Sequence, residues 1–461
     1  MATTYDAIII GTGQAGPALA DRLDDEGLKT AVLERHQFGG TCVNTGCIPT
    51  KTLVASARAA HMARRAADFG VRIDGEIGID MVQVKARMKR LAGASTDGVT
   101  GWIESLDNAT IYRGHGRFAG PNQVVVDGQL LEADRIFINV GGRAFVPPVP
   151  GIEDIDYLTN STVLELDALP THLIIVGGSY IGLEFAQIYR RFGARVTLVE
   201  MLPTLIPRED PDVSAAVQEI LESEGIEFRL GTQVTGVEQD GGVITANLSG
   251  PGGAETVQGS HLLMAVGRRP NTDDLDLDKA GVDADERGFI VVDDELKTSV
   301  DGIWAVGDCN GKGAFTHTSY NDFEIVAANL FDGDSRRVSD RILCYGLFTD
   351  PPLGRVGMTE QQARESGRNV LMGKRLMADV GRAKERSETA GFMKALVDAD
   401  SGEILGAAIL GIGGDECVHS LLDVMYAKAP YTTILRAVHI HPTVTELIPT
   451  MLGDLEPLGP A

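Results

Sequence analysis

Two cysteines five positions apart stand in the segment Gly39-Gly40-Thr41-Cys42-Val43-Asn44-Thr45-Gly46-Cys47-Ile48-Pro49-Thr50-Lys51. Such a pair is a redox disulfide, half of a metal site, or two bystanders. On a regular helix a separation of five gives about 7.5 Å of rise, beyond the roughly 4.4–6.8 Å between Cα atoms that a disulfide spans. Pairing therefore requires a bent segment. Gly39, Gly40 and Gly46 supply that freedom, and Pro49 suits the first turn of a following helix. Cys47 then opens that helix, where the dipole and the unsatisfied N–H groups favour a thiolate. Structural zinc takes four Cys or His ligands, and no second close Cys/His pair has a matching spacing; the redox reading is favoured. Thiol exchange also needs a proton carrier. His439-Ile-His441-Pro442-Thr443-Val444-Thr445-Glu446 offers two imidazoles, with a carboxylate five residues after His441 that can orient and charge the ring. From spacing alone such a histidine is more often a surface or packing residue.

The elements that must position these groups are written in glycine. Asp6 to Ile10 reads as a short buried strand, Gly11-Thr12-Gly13-Gln14-Ala15-Gly16 as a tight turn, and Pro17 to Glu26 as a helix. A second strand, Lys29 to Leu33, ends in Glu34, at the spacing where an acid binds the ribose hydroxyls of a dinucleotide. The pattern recurs as the strand Leu173 to Val176, the turn Gly177-Gly178-Ser179-Tyr180-Ile181-Gly182, a helix through Glu184 to Phe192, and Arg195 to Val199 leading into Glu200. Ser179 takes the place of the second glycine, so this copy is less regular. An acid at position 200 favours NADH over NADPH, because a 2′-phosphate would meet a carboxylate; Arg191 and Arg195, close in sequence, pull the other way. Two dinucleotide sites in one chain suggest hydride passing from a nicotinamide to a flavin.

Between the two copies lie a helical region (Lys51 to Leu106), a hairpin region (Thr110 to Leu131) and the strand Arg135 to Val140. Later apolar strands run into the turns at Gly267-Arg268 and at Gly307-Asp308, and beyond about residue 340 the texture becomes α+β without a further dinucleotide fingerprint. The expected division is a first flavin-binding part over 1–148, a nicotinamide-binding domain over 149–267, a second flavin-binding part over 268–339 and a C-terminal interface domain over 340–461. The fold class is α/β, with two Rossmann-like domains and a C-terminal α+β domain.

The chain has 461 residues, ample for several cores. Its 41 basic and 65 acidic residues give a formal charge of −24, which argues against nucleic-acid or anionic-membrane partners. A saline habitat and genome composition each produce such a balance. No apolar run is long enough to span a membrane, and the N-terminus runs straight into a strand, so a cytoplasmic protein is expected. The five cysteines are too few and too scattered for a secreted disulfide framework.

Taken in order, the first glycine turn, Gly-Gly-Thr-Cys-x4-Cys-Ile-Pro-Thr-Lys, Gly-Gly-Ser-Tyr-Ile-Gly-Leu-Glu, Gly-Arg-Arg-Pro-Asn, Ala-Val-Gly-Asp and His-Pro-Thr-x-x-Glu resemble the class I flavoprotein pyridine nucleotide-disulfide oxidoreductases over the whole length. These include dihydrolipoamide dehydrogenase, glutathione reductase and mercuric reductase. The resemblance implies FAD on the first turn and NAD(P)H on the second. It makes Cys42 the interchange thiol, Cys47 the flavin-proximal thiol, Lys51 and Glu184 an ion pair beside the flavin, and Asp308 a ligand of its ribitol. It also implies that Gly40, Thr41, Gly116, Gly141, Gly267 and Arg268 line the cofactor sites, alongside Gly11, Gly13, Gly16, Glu34, Gly177, Gly182 and Glu200. His441 with Glu446 becomes an acid/base dyad serving the other subunit, which implies a homodimer. The acceptor is expected to be a small disulfide such as lipoamide; the alternative is reduction of a soft metal ion (Hg²⁺, Cu²⁺) in the manner of mercuric reductase, or an oxidant-stress reductase. The tail Met451 to Ala461 lacks the vicinal cysteines of mercuric and high-molecular-weight thioredoxin reductases.

Overall fold

The computed structural model describes residues 2–459. Its first layer is a mostly parallel sheet. β1 (Thr3–Ile10) lies between β2 (Thr30–Glu34) and a later strand, and α1 (Ala15–Asp25) makes the crossover to β2. The four isoleucine and alanine side chains at the end of β1 are all buried, as a strand covered on both faces requires. The chain then forms α2 (Gly40–Asn44), α3 (Cys47–Arg64), α4 (Met81–Glu104), β3 (Ala109–Arg113), β4 (Arg117–Gly120), β5 (Gln123–Val126) and β6 (Gln129–Ile138). Strand order is β3-β2-β1-β6-β5-β4. In register, Ile10 stands between Leu33 and Ile138, so three strand ends open at the same edge.

Two sequence expectations change here. The helical region from Lys51 is two helices separated by an irregular, largely exposed stretch over residues 70–80. The region from Thr110 is not a single hairpin: β3 pairs parallel with β2, and only β4, β5 and β6 form antiparallel pairs. The reason is α4, whose length returns the chain to the far edge of the sheet before the hairpins begin.

The second layer repeats the unit: β7 (His172–Val176), α5 (Tyr180–Phe192), β8 (Arg195–Val199), α6 (Pro211–Ser223) and β9 (Glu227–Arg229). A three-stranded antiparallel ribbon, β10 (Gln233–Asp240), β11 (Val243–Gly250) and β12 (Gly253–Gly259), precedes β13 (His261–Met264), which pairs parallel with β7. The chain next returns to the first sheet, where β14 (Ile303–Ala305) joins β6 and α7 (Thr316–Ala327) follows. The last layer is a six-stranded antiparallel sheet of β15 (Cys344–Leu347), β16 (Leu353–Gly357), β17 (Val370–Leu376), β18 (Phe392–Asp398), β19 (Ile404–Leu410) and β20 (Glu456–Pro457), in the order β15-β16-β19-β18-β17-β20. Both central strands of that sheet are buried along their whole length. Among the described residues no helix is long and apolar enough to cross a membrane.

Candidate active site

Each glycine turn crosses the end of a neighbouring strand too closely for any side chain. A Cβ at Gly11 (φ +101°) would lie 2.4 Å from the Asn139 carbonyl oxygen, and one at Gly177 (φ +113°) would lie 2.4 Å from that of Ala265. The last glycine of each turn faces inward. A Cβ at Gly16 would lie 2.5 Å from the Gly11 oxygen, and one at Gly182 would lie 2.0 Å from the Gly177 oxygen. Gly16 and Gly182 therefore act by letting helix pack on strand and do not themselves line the cleft. Ser179 is tolerated because its backbone is extended and its side chain is exposed. The two acids repeat as well. Glu34 Oε2 accepts from the Thr12 N–H at 3.0 Å, and Glu200 Oε2 accepts from the Gly178 N–H at 2.6 Å. Arg191 and Arg195 do not compete there, since they pair with Glu224 and Asp350 and with Glu227 respectively.

One continuous cleft of about 3170 Å³ joins the two turns, roughly three times the upper end of an ordinary ligand pocket of about 1,000 Å³. Glu34, Gly40, Thr41, Cys42, Cys47, Lys51, Gly116, Gly141, Glu184, Glu200, Gly267, Arg268 and Asp308 all line it. The residues on the first turn fit FAD. Gly40 packs so that a Cβ would lie 2.9 Å from the Gly13 Cα, while Gly141 (φ +63°) and Gly267 (φ +137°) face open space. Burial raises the Asp308 carboxyl, and its nearest cation, Arg268 Nε, is 3.7 Å away. A polyol chain is the kind of neighbour that satisfies such a group.

The bend between the cysteines is now explicit. α2 carries Cys42 and ends at Asn44, Gly46 turns where a Cβ would lie 2.9 Å from the Thr41 oxygen, and α3 starts at Cys47. The Cys42 thiol donates to Cys47, which lowers Cys47 to about 6 against the opposing cost of burial; the Thr316 hydroxyl and the Lys51 ammonium act in the same direction. Cys42 is pushed up, first by that hydrogen bond and then by burial. Thr316 Oγ1 is 3.2 Å from Cys47 Sγ and sits at the start of α7, so two helix N-termini converge on one sulfur. Lys51 Nζ is 2.6 Å from Glu184 Oε2. Thr316 was not legible in the sequence, because nothing local distinguishes a threonine 269 positions from its partner.

His441 Nδ1 lies 3.0 Å from both carboxylate oxygens of Glu446, forming the expected dyad. Its side chain is 81% exposed. Neither residue lines the cleft of its own chain, and Val438 and Ile440 beside it are exposed apolar side chains. Burial pushes the Cys309 thiol up to about 12 and raises Cys344 and Cys417. Among the described residues, the one cluster of acids close enough to hold a metal is Asp210, Asp212 and Glu360, and the Lys394 ammonium already lies 2.6–2.9 Å from all three.

Two glycine turns open on one cleft that also holds a pair of neighbouring thiols, an arrangement that fits a flavoprotein oxidoreductase. Residues 5–322 match the model of the pyridine nucleotide-disulphide oxidoreductases, and residues 344–452 match that family's dimerisation domain. The chain belongs to this family of oxidoreductases, which act on sulfur groups with FAD and NAD(P). It is 36% identical to the probable pyridine nucleotide-disulfide oxidoreductase RclA of Escherichia coli over 96% of this chain and 97% of that one. The Cu(II) complex of RclA, described as an HOCl-induced flavoprotein disulfide reductase, superposes with a TM-score of 0.90 at 33% identity, covering 98% of this chain and 99% of that one. A dihydrolipoyl dehydrogenase of Thermus scotoductus is 34% identical (96% and 95% covered), and a mercuric reductase of Streptomyces lividans is 35% identical (97% and 95% covered).

Proposed function

We propose that the protein is a cytoplasmic homodimer that takes electrons from NADH, passes them through FAD to the Cys42–Cys47 disulfide, and delivers them to a small disulfide such as lipoamide. The observation that carries this reading is the placement of Cys42 and Cys47 together in the cleft that joins both glycine turns, with Thr316 Oγ1 3.2 Å from Cys47 Sγ and Lys51 and Glu184 lining the same cleft. We divide the chain accordingly into flavin-binding parts at 1–148 and 268–339, a nicotinamide-binding domain at 149–267 and an interface domain at 340–461.

The bound flavin supplies the two-electron carrier between nicotinamide and thiols. The chain's own residues do the rest. Glu34 and Glu200 take the two riboses, Asp308 the ribitol, and Lys51 with Glu184 fixes the charge beside the sulfur. NADH is favoured because Glu200 presents a carboxylate while Arg191, Arg195 and Arg229 are all engaged with acids elsewhere. Once reduced, the Cys42 sulfur attacks the acceptor disulfide and forms a mixed disulfide with release of one thiol. Cys47 then displaces the second, which restores the Cys42–Cys47 bond. His441 of the partner subunit takes the Cys42 proton and returns it to the leaving thiolate, with Glu446 orienting the ring.

Reduction of a soft metal ion such as Hg²⁺ or Cu²⁺ is the second reading. It is favoured by the Cu(II) complex of the similar RclA and by two adjacent sulfurs that can share one ion. Steady-state NADH oxidation with lipoamide, glutathione disulfide, Cu²⁺ and Hg²⁺, in the parent protein and in Cys42→Ser, tests both. Lipoamide turnover lost in Cys42→Ser supports the first reading and metal-only turnover the second. Full disulfide turnover in the variant refutes the thiol relay.

A further inference from the structure

Glu184, Gln187 and Arg191 fall at i, i+3 and i+7 of α5 and so share one helix face, and all three are at least 95% buried. Each reaches across to the Phe348–Asp350 turn that joins β15 to β16. The Phe348 N–H donates to Glu184 Oε1 at 3.1 Å. The Asp350 N–H donates to Gln187 Oε1 at 2.7 Å, and Gln187 Nε2 donates back to the Asp350 carbonyl at 2.8 Å. Arg191 Nη1 lies 2.5 Å from Asp350 Oδ2, while its other side holds Glu224 at 2.8 Å. From α3, Arg58 pairs with Asp350 and holds Glu388 at 2.6 Å.

This array ends at the thiol pair. Glu184 has one oxygen on the Phe348 peptide and the other on Lys51, and the Lys51 ammonium also stands 4.4 Å from the centre of the Phe348 ring. The ammonium is thus fixed from two sides by one turn of the C-terminal sheet. Buried charges cost desolvation, and a helix–sheet contact made only for stability is as well served by apolar side chains at positions 187 and 191. What the polar array achieves is the placement of one peptide N–H and one ring.

We propose that Phe348 and Asp350 are positioning residues for the redox thiols: the 348–350 turn, anchored by Gln187, Arg191 and Arg58, sets Glu184 and Lys51 beside Cys47. This rests on the reading of Cys42–Cys47 as the redox pair. The titratable groups facing Cys47 are Cys42, Lys51 and Glu184. Those around the turn are Arg58, Arg191, Glu224, Glu388 and His61, the last depressed by burial first and then by Arg191.

The test is the pH dependence of iodoacetamide alkylation at Cys47, read by peptide mass spectrometry on reduced holoenzyme in a Cys42→Ser background, where the serine hydroxyl keeps a donor. Phe348→Leu removes the ring and keeps the N–H; Phe348→Tyr keeps both; Asp350→Asn loosens the turn. Phe348→Leu and Asp350→Asn are expected to slow alkylation at pH 6 about fivefold, the loss of thiolate when a midpoint near 6 rises by about one unit. Phe348→Tyr is expected to retain the parent profile. Unchanged profiles in folded Phe348→Leu and Asp350→Asn, or an equal shift in Phe348→Tyr, overturn the proposal. A parent without a depressed Cys47 midpoint refutes the thiol reading itself, so the two failures are distinguishable.

Discussion

Thr316→Val replaces a hydroxyl by a methyl of nearly the same shape at the start of α7 and removes the donor 3.2 Å from Cys47 Sγ. A hydrogen bond to a charged group contributes about 1.5–3 kcal/mol, and one pKa unit corresponds to about 1.4 kcal/mol, so the loss raises Cys47 by about one to two units. The sign follows from which form gains: the hydroxyl donates to the thiolate, and without it the protonated thiol is favoured. Starting from about 6, the midpoint moves to about 7–8. At pH 7 the thiolate fraction falls from about nine-tenths to between about one-half and one-tenth. Ultraviolet thiolate absorbance of the reduced protein across pH 4.5–9.5 measures this directly, and the long-wavelength band of the flavin-loaded protein should follow the same curve. A midpoint unmoved in a folded Thr316→Val protein refutes the idea that this hydroxyl holds the thiolate.

Gly182→Ala places a methyl 2.0 Å from the Gly177 oxygen, so this variant should keep its yellow flavin yet lose reduction by NADH, read by anaerobic mixing. Glu200→Ala removes the ribose acid of the second turn and should raise the KM for NADH about 10–100-fold, the equivalent of about 1.5–3 kcal/mol, with little change for NADPH; steady-state kinetics with both nucleotides checks it. On the proposal that His441 serves the partner's thiols, mixing inactive His441→Gln and Cys42→Ser dimers after subunit exchange should restore about a quarter of wild-type turnover, since half the dimers are mixed and each of those has one complete site. No recovery despite demonstrated exchange would contradict a shared site.

The parts of the site that the sequence disclosed are those governed by local rules. The first glycine of each turn adopts a positive φ that only glycine enters freely, Glu34 and Glu200 end strands at a fixed distance from their turns, and the bend between Cys42 and Cys47 follows from a helix being too long per residue. The parts it withheld depend on which faces of distant elements meet. Thr316 and the Phe348 peptide reach the site from later in the chain, with no motif of their own. Arg191 reads as a neighbour of Glu200 in sequence, yet α5 turns it toward Glu224 and Asp350, where it is 5% exposed. The third glycines read as cofactor ligands, while the structure places them behind the turn. His441 and Glu446 are legible as a dyad, but that they lie outside the cleft of their own chain is a property of the fold.

The most direct test is anaerobic titration of the flavin-loaded protein with NADH, following long-wavelength thiolate-to-flavin absorbance. The band is expected to appear on addition of two electrons per subunit, to vanish on acid titration with a midpoint near 6, and to be absent in Cys47→Ser. Full flavin bleaching with no such band, or an unchanged band in Cys47→Ser, would contradict the claim that Cys47 is the thiolate beside the flavin.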